Sequence, residues 1–577
     1  MYRRFPILLL LAPRLLAAQT TPEGDSGVRP AWVDSLAINR QAYKSQRDFE
    51  SVRRALLPND KGGGGRQACD NVIGRFCYWY DPRAGESRPE PPYVTQERLR
   101  LIAKLGAAAD RLPGDAWIAG QRVRYMVEAG QTDSALAAAR ACRVRGWWCT
   151  ALEAFALHSA GQYLAADSAF ARTLRAMPLA DRCIWTDLSR FIDDGQAYLT
   201  WGCVERESLN AWIWWLSQPL LTRPGNDLRT EHYSRRVLVA LLERASDPHG
   251  LSWNWDNEEL LVRFGYPRGW SKQDGPLIAG GTSVIGHEPV PSYWFFPRPA
   301  LAGHQSADLS RVRWELDRPR PRMRYAPAYG QAFTTIARAQ VARFPRGDSL
   351  VSVAAFDLEG DTTFRERPPV VALAAGQDPF TPIASTALPP ARAGVVMVAT
   401  PWRARILSLE AVDSVGRRVA RLRAGLSPMA EAGRLGISDV LLFEPVEELP
   451  ERLADAAPRA LHSPILTEGA KVGLYWEATV PGATGAATVQ VRVVRLKDDK
   501  APPAPIGRSE CAPPGETPIA LRFDEPAEAG PRGRARSFIL DLGKLQRGRY
   551  AIGVSVSHDG ASACTIREIA IVTADRK

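Results

Sequence analysis

The sequence predicts a multidomain α plus β protein, with a helical region, a small α+β element and two C-terminal antiparallel β-sandwiches. Its 577 residues are about four times the length of a typical domain. Between Gln96 and Pro178 the chain is rich in Ala, Leu and Arg and almost free of Pro, which favours helices. From residue 331 onwards, apolar and polar residues alternate along short segments that are bounded by turn residues, which is typical of strands.

The first 18 residues have the pattern of a secretory signal peptide. Arg3 and Arg4 precede an apolar run from Phe5 to Ala12, and small residues stand at Ala17 and Ala18. The run is too short for a membrane-spanning helix, and no later stretch approaches the roughly 18 apolar residues that a span requires. We therefore expect an exported protein, periplasmic or extracellular, with no transmembrane segment in the mature chain.

The eight cysteines fall into four couples that are close in sequence. In an exported chain such couples predict disulfide bonds, although other connectivities remain open. The expected pairs are Cys69–Cys77, Cys142–Cys149, Cys183–Cys203 and Cys511–Cys564. Zinc sites need tighter, repeated spacings with nearby His, so we expect no metal and no other cofactor.

The charge balance does not favour a nucleic-acid partner. The formal net charge of +11 comes from 74 Lys and Arg residues against 63 Asp and Glu residues, and most of the cations are Arg. The chain has no dense Lys/Arg run that could follow a phosphate backbone, so no nucleic-acid binding is expected.

The helical region contains an internal repeat. The same four residue types occur twice at one spacing, first as Trp117, Ala129, Gly130 and Gln131 and then as Trp148, Ala160, Gly161 and Gln162. With Ala156, Ala165, Phe170 and Pro178, the second copy resembles a tetratricopeptide repeat. That resemblance implies stacked helix pairs with a concave surface for a protein partner. A generic Ala-rich bundle is the alternative.

A Trp-rich segment follows the repeats. Trp253 precedes Asp256 by three residues, and Phe264, Gly265 and Pro267 follow it. This pattern resembles the GWxTD domain of exported bacterial proteins, a family that implies no known activity. Ser252 and Trp255 depart from the motif, where Gly and Thr are usual. The piece from Gly436 to Pro445 is similar to the terminal strand of the β domain that often accompanies GWxTD regions.

The residues of this segment also predict local structure without the resemblance. A helix over about residues 227–244 would place Tyr233, Val237, Leu241 and Leu242 on one apolar face. A short buried strand is expected at 260–264, with the Trp side chains packed between helix and strand. In the alternative hypothesis, a groove for a sugar or peptide is lined by Trp212, Trp214, Trp253 and Trp255.

These observations predict a domain organisation. The expected units are a signal peptide (1–18), an irregular disulfide-stapled cap (19–98), tetratricopeptide-like repeats (99–200), a GWxTD-like domain (201–274), a Pro/Gly/Arg-rich linker (275–330), a first β-sandwich (331–449), a linker (450–464) and a second β-sandwich (465–577). The alternating strand that begins near Gly548 and Tyr550 makes the last unit resemble immunoglobulin-like modules.

No catalytic constellation is recognisable in the sequence. It contains no HExxH and no GxSxG motif. The nearest candidates are Asp256, Glu258 and Glu259 beside Trp253 and Trp255, since glycosidases combine acids with aromatic residues. Alternatively, Asp256 closes a turn. We therefore expect an exported non-enzymatic scaffold or protein-interaction protein of the bacterial envelope that binds a protein partner through its repeats. The alternative is a polysaccharide-binding or processing protein that uses residues 201–270.

Overall fold

A computed structural model describes most of the chain. The described residues are 31–59, 71–78, 89–191, 198–267, 269–274, 282–287, 309–312, 314, 332–429, 434–480, 485–497, 502–527 and 534–573. The expected signal peptide, Cys69 and most of the expected linker at 275–330 lie outside them. Within these ranges, no helix is both long and apolar enough to cross a membrane.

Helices form the N-terminal part of the described chain, and each of the first five packs against the next. They are α1 (Ala31–Ala55), α2 (Pro92–Arg111), α3 (Ala116–Glu128), α4 (Thr132–Ala141), α5 (Trp148–Ser159), α6 (Tyr163–Ala176), α7 (Leu179–Trp185), α8 (Arg206–Ser217), α9 (Asp227–Leu242) and α10 (Trp255–Phe264). Two short hairpins accompany them, β1 (Asn71–Ile73) with β2 (Phe76–Tyr78) and β3 (Gly269–Asp274) with β4 (Thr282–His287).

The sequence repeat is also a repeat of backbone conformation. Gly130 joins α3 to α4 with φ +72°, and Gly161 joins α5 to α6 with φ +73°. The residues that follow them match as well, since Gln131 has φ −85° and ψ 57° and Gln162 has φ −86° and ψ 63°. Glycine suits this left-handed conformation because it has no Cβ. The two helix pairs therefore turn in the same way.

Helix α9 covers one face of the repeats. It packs onto α3, α5 and α6, and its side chains Tyr233, Val237 and Leu241 belong to the core of those helices. Gly120 of α3 permits close approach, because a Cβ there would lie 2.4 Å from Leu241. Gln121 Nε2 donates to the Leu241 carbonyl at 2.7 Å. The chain itself therefore occupies part of the surface of these helices.

The strand expected at 260–264 is wrong, because these residues form the end of α10. The side chain of Asn254 accepts from the backbone of Trp255, and Asn254 and Asn257 form a reciprocal cap that starts the helix. The buried positions Asn257, Leu261 and Phe264 follow helical spacing. Gly265, with φ +87°, ends the helix.

The C-terminal part consists of β-sandwich-like pairs of sheets. The strands of the first pair are β5 (Ala332–Thr335), β6 (Ala339–Arg346), β7 (Ser349–Asp357), β8 (Val370–Gly376), β9 (Ala384–Leu388), β10 (Ala393–Pro401), β11 (Ile406–Asp413) and β12 (Arg418–Gly425). Its two sheets have the strand orders β10-β7-β6 and β5-β12-β11-β8-β9. All neighbours are antiparallel except β5 and β12, which are parallel.

The strands of the second pair are β13 (Gly436–Ile437), β14 (Leu441–Phe443), β15 (Ile465–Thr467), β16 (Lys471–Thr479), β17 (Ala486–Arg495), β18 (Ile519–Pro526), β19 (Arg534–Asp541), β20 (Gly548–His558) and β21 (Ala561–Val572). One sheet has the strand order β15-β21-β20-β17-β18, and in the other sheet β16 pairs with β13, β14 and β19. The β15–β21 pairing is parallel. The fold is therefore α plus β, as predicted, with mixed rather than purely antiparallel sheets.

The two sandwiches share a third core. Phe344 and Val353 of the first sandwich pack against Phe443 and Tyr475 of the second, together with the short helix α11 (Leu453–Ala456). This cluster is separate from the cores inside each sandwich. Because β6 and β7 have neighbours on both faces, their burial is nearly continuous rather than alternating.

Three of the expected disulfides are present in the described residues. They join Cys142 to Cys149, Cys183 to Cys203, and Cys511 to Cys564. The expected Cys69–Cys77 bond involves a residue outside the described ranges and stays a prediction.

Candidate functional site

The four Trp residues expected to line a groove lie in two environments. Trp212 and Trp214 on α8 are buried, in a core cluster that includes Ala374 and Ile406 of the first sandwich. Trp253 is half-buried, and Trp255 in the first turn of α10 is 53% exposed. The first two side chains therefore pack the helical part against a sheet. Ligand binding by Trp253 and Trp255 stays a prediction.

Buried charges fasten the end of α8 to the first sandwich. The carboxylate of Glu410 on β11 accepts hydrogen bonds from the Leu221 N–H at 2.8 Å and the Thr222 N–H at 3.0 Å. Arg423 on β12 donates to the Gln218 carbonyl at 2.8 Å and lies 3.5 Å from Glu410. Both charged side chains are fully buried. They pair with backbone groups of the segment that follows the helix.

A second set of buried cations joins the two sandwiches. Arg343 on β6 donates to Asp439 through Nε at 2.8 Å, and both side chains are buried. Arg567 on β21 donates to the Val341 carbonyl at 2.6 Å and the Val440 carbonyl at 2.9 Å. Burial lowers the pKa of Arg567 to about 10. The hydrogen bonds of Arg567 hold β6 and the segment before β14 in one position.

The candidate catalytic carboxylates are all ion-paired. Asp256 Oδ2 accepts from Arg75 Nε at 2.7 Å, and Glu258 lies 2.8 Å from Arg236. Glu259 lies 3.1 Å from Arg263. The hydrogen bond from Arg75 lowers the pKa of Asp256 to about 2. A glycosidase acid needs a raised pKa, so Asp256 is suited to an ion pair rather than to proton donation.

The contact of Arg75 with Asp256 docks the first hairpin onto α10. We call the residues Arg75, Ser252, Asp256 and Asn257 the hairpin junction, because Arg75 Nη2 also donates to the Ser252 carbonyl at 3.0 Å and to Asn257 Oδ1 at 2.6 Å. Gly74 adopts φ +52°, and a Cβ there would lie 2.6 Å from the Asp256 Cβ. Sequence reasoning identified Asp256 but missed Arg75, whose distance along the chain gives no local signal.

A buried ionic cluster within the helices was also missed. Glu50 Oε1 accepts from the Tyr125 hydroxyl at 2.6 Å and lies 3.4 Å from Arg124. Arg124 Nε in turn donates to Glu128 at 2.9 Å, and Arg53 lies 3.2 Å from Glu128. Burial raises the pKa of Glu50 and, more strongly, that of Tyr125. Because these groups are closed to solvent, the cluster ties α1 to α3 and offers no access to a substrate.

A Thr-His-Glu arrangement lies between α5 and α9. His158 Nδ1 is 2.9 Å from Thr230 Oγ1, and His158 Nε2 is 2.7 Å from Glu231. Burial opposes ionisation of Glu231, but Arg235 and His158 hold its pKa well below the ordinary range. Thr230 is fully buried, so its hydroxyl is closed to a substrate. The arrangement links two helices, although its atoms resemble a catalytic triad.

Exposed apolar side chains lie close in sequence to Cys183 and Cys203, which form a disulfide. The disulfide holds α7 and the segment before α8 together, with 5.5 Å between the two Cα atoms. Five apolar side chains along these two segments are 45% to 57% exposed. We call them the disulfide patch, and they are Leu179, Ile184, Leu199, Trp201 and Val204. Such a concentration of exposed large apolar groups is typical of contact surfaces.

Comparisons with known proteins give weak structural similarities. No protein-family model matches the chain, and no curated protein matches it. The soluble domain of PmoD from Methylocystis sp. ATCC 49242 (Rockwell) is similar at 14% identity and a TM-score of 0.16, over 25% of this chain and 97% of that domain. Escherichia coli alpha-2-macroglobulin activated by porcine elastase is similar at 11% identity and a TM-score of 0.14, over 41% of this chain and 24% of that protein. Neither similarity carries an argument about fold or function.

Proposed function

We propose that this chain is an exported, non-enzymatic scaffold of the bacterial envelope that works by binding a protein partner. The observation that carries the proposal is the buried junction of Glu410 and Arg423 with the backbone after α8. Buried charges are costly unless they are fully paired, so this junction strongly favours one arrangement of helices and sandwich. A scaffold needs such fixed spacing between its surfaces.

The disulfide patch is the surface proposed to bind the partner. It lies directly after the repeat helices, and its apolar side chains remain exposed although α9 covers another face of those helices. The proposed occupant is an envelope protein with a complementary apolar face, because burial of this patch would remove large apolar groups from water.

Export and family membership belong to the same proposal. The residue pattern of positions 1–18 and the three disulfides support an oxidising compartment outside the cytoplasm. The spacing of Trp253, Asp256, Gly265 and Pro267 supports a diverged GWxTD protein. The equivalent turns at Gly130 and Gly161 support tetratricopeptide-like repeats, and the last pair of sheets supports an immunoglobulin-like module.

The test compares one variant of the disulfide patch with one matched control. The mature protein, residues 19–577, carries Ile184→Asp with Val204→Asp, or Val415→Asp, a residue that is 71% exposed on the first sandwich. Each is cross-linked in the native envelope, and bound proteins are identified by mass spectrometry. We expect a partner of wild type that the Val415 variant keeps and the patch variant loses. The same partners with all three proteins would contradict the proposal.

The exposure of Trp255 favours a second candidate function, which is binding of an envelope polysaccharide. An exposed Trp beside charged groups is a stacking surface for a sugar. Tryptophan fluorescence would be followed during titration with defined envelope oligosaccharides. Glycan binding predicts that Trp255→Ala abolishes the change, whereas Trp201→Ala, which removes a 47% exposed Trp elsewhere, does not. If neither variant alters the titration, the glycan hypothesis is wrong.

A further inference from the structure

Strand β18 is an exposed edge of the second sandwich. It is the last strand of its five-stranded sheet and, among the described strands, pairs with β17 alone. Every residue from Ala520 to Asp524 is exposed. An edge strand offers a row of backbone donors and acceptors to another chain, and proteins normally blunt or cover such edges.

The side of β18 that faces the core carries two exposed apolar side chains. Phe523 pairs with Val489 and Leu521 pairs with Val491, and both valines are fully buried in the core of this sandwich. Cross-strand partners point to the same face, so Phe523 and Leu521 continue that core row. They are nevertheless 39% and 43% exposed. The apolar core of this sandwich therefore ends at a solvent-exposed margin along β18, formed by Leu521 and Phe523.

The opposite face of β18 carries two charges of opposite sign. Asp524 accepts from Thr488 Oγ1 at 2.6 Å. The Arg522 side chain is exposed and makes no ion pair or hydrogen bond with the described residues. Arg522 and Asp524 lie on either side of Phe523. When a second copy of β18 runs antiparallel to the first, Arg522 of each copy can therefore face Asp524 of the other.

That pattern selects one antiparallel register between two copies of β18. Core faces coincide only in every second register, because a shift by one residue turns each side chain to the other face. Centring on Arg522 would set arginine against arginine, and centring on Asp524 would set aspartate against aspartate. Centring on Phe523 sets each Arg522 against the other Asp524 and sets the two Phe523 rings together.

The next cross-strand pair outward in this register is tolerable. It places Leu521 opposite Glu525, whose charge is already neutralised by Arg536 at 2.5 Å. The pairing is closed by a two-fold axis, so it yields a dimer and no open fibre.

We propose that the protein forms a two-fold symmetric dimer in which β18 of one copy pairs antiparallel with β18 of a second copy, centred on Phe523. The paired edges would join the two five-stranded sheets into one continuous sheet and cover the margin formed by Leu521 and Phe523. This inference does not depend on the proposed scaffold function.

A charge swap tests the register. The mass of the full mature protein is followed by sedimentation velocity over a dilution series. We expect a dimer for wild type, and at least a tenfold rise in its dissociation constant for Arg522→Asp, because four carboxylates then meet. The double variant Arg522→Asp with Asp524→Arg restores opposite charges across the axis, so we expect it to dimerise like wild type. A thermal melt checks that each variant is folded.

A cysteine cross-link tests the centre of the register. Phe523→Cys would place two thiols across the axis, where directly opposed Cβ atoms are roughly 4.5–5.5 Å apart, close to disulfide range. Mild oxidation should give a covalent dimer for Phe523→Cys and none for Val415→Cys. A monomeric wild type at every concentration would overturn the proposal. So would a dimer that is insensitive to Arg522→Asp, a swap that fails to rescue, or cross-linking that is equal at both positions.

Discussion

Arg75 binds both carboxylate oxygens of Asp256 through two guanidinium nitrogens, at 2.7 Å from Nε to Oδ2 and 2.7 Å from Nη2 to Oδ1. The two residues are 181 positions apart in the sequence. The backbone N–H of Arg75 donates to the same carboxylate at 3.0 Å. Asp256 thus accepts three hydrogen bonds from one residue of a short hairpin. The paired Arg75 group explains why a candidate catalytic acid is instead a structural anchor.

Removing this anchor should loosen the hairpin. We expect Arg75→Ala to lower the free energy of unfolding, since charged hydrogen bonds to Asp256 are lost while partial exposure of Arg75 limits their strength. The matched control is Arg100→Ala, which removes an exposed ion pair with Glu97 and should change stability by less than about 0.5 kcal/mol. Urea unfolding measures both. Equal losses of stability in the two variants would show that the Arg75–Asp256 contact contributes no more than an ordinary surface ion pair.

The same ion pair should give a specific dependence on pH. Asp256 has a folded pKa of about 2, below its ordinary value of 3.8. Its contribution is therefore fully present above pH 4 and is lost as the pH falls towards 2. We expect wild type to exceed Asp256→Asn in stability at about pH 6, with the difference shrinking at about pH 3. A difference that stays constant over this range would contradict the prediction.

The buried junction between helices and sandwich should be sensitive to loss of one charge. Glu410→Ala leaves Arg423 buried without its carboxylate, and we expect a loss of about 3–5 kcal/mol. The control Glu366→Ala removes a carboxylate that is 75% exposed beside Arg418, so its effect should stay below about 1 kcal/mol. Thermal and urea unfolding compare the two. If Glu410→Ala destabilised the protein no more than Glu366→Ala does, the buried junction would not be what fixes the helices relative to the first sandwich.

The two repeat turns should respond alike to substitution. Gly130 and Gly161 have positive φ and open space where a Cβ would lie, so Ala costs only backbone strain, about 1 kcal/mol at each position. Gly114 also has open space but no positive φ, and Gly114→Ala should be within about 0.5 kcal/mol of wild type. The free energies of unfolding of the three variants test this. Unequal costs at Gly130 and Gly161 would argue against equivalent turns.

The sequence by itself determined those features that depend on neighbouring residues. A composition rich in Ala, Leu and Arg and almost free of Pro predicted helices between Gln96 and Pro178, and the alternation of apolar and polar residues predicted strands after 331. The three observed disulfides were predicted by pairing cysteines that are neighbours along the sequence. Repeated Gly residues predicted repeated turns, since a positive φ is a property of one residue.

Only the tertiary structure decided which surfaces meet. Residues 260–264 are an exception, since the Asn254 and Asn257 cap that starts their helix is a local signal, which the apolar spacing of 260–264 does not reveal. Trp212 is buried and Trp255 is exposed because one faces the first sandwich and the other does not. Arg75 and Glu410 find their partners more than 180 residues away. Periodicity states that a face is apolar or charged, but the partner of that face depends on how distant segments pack together.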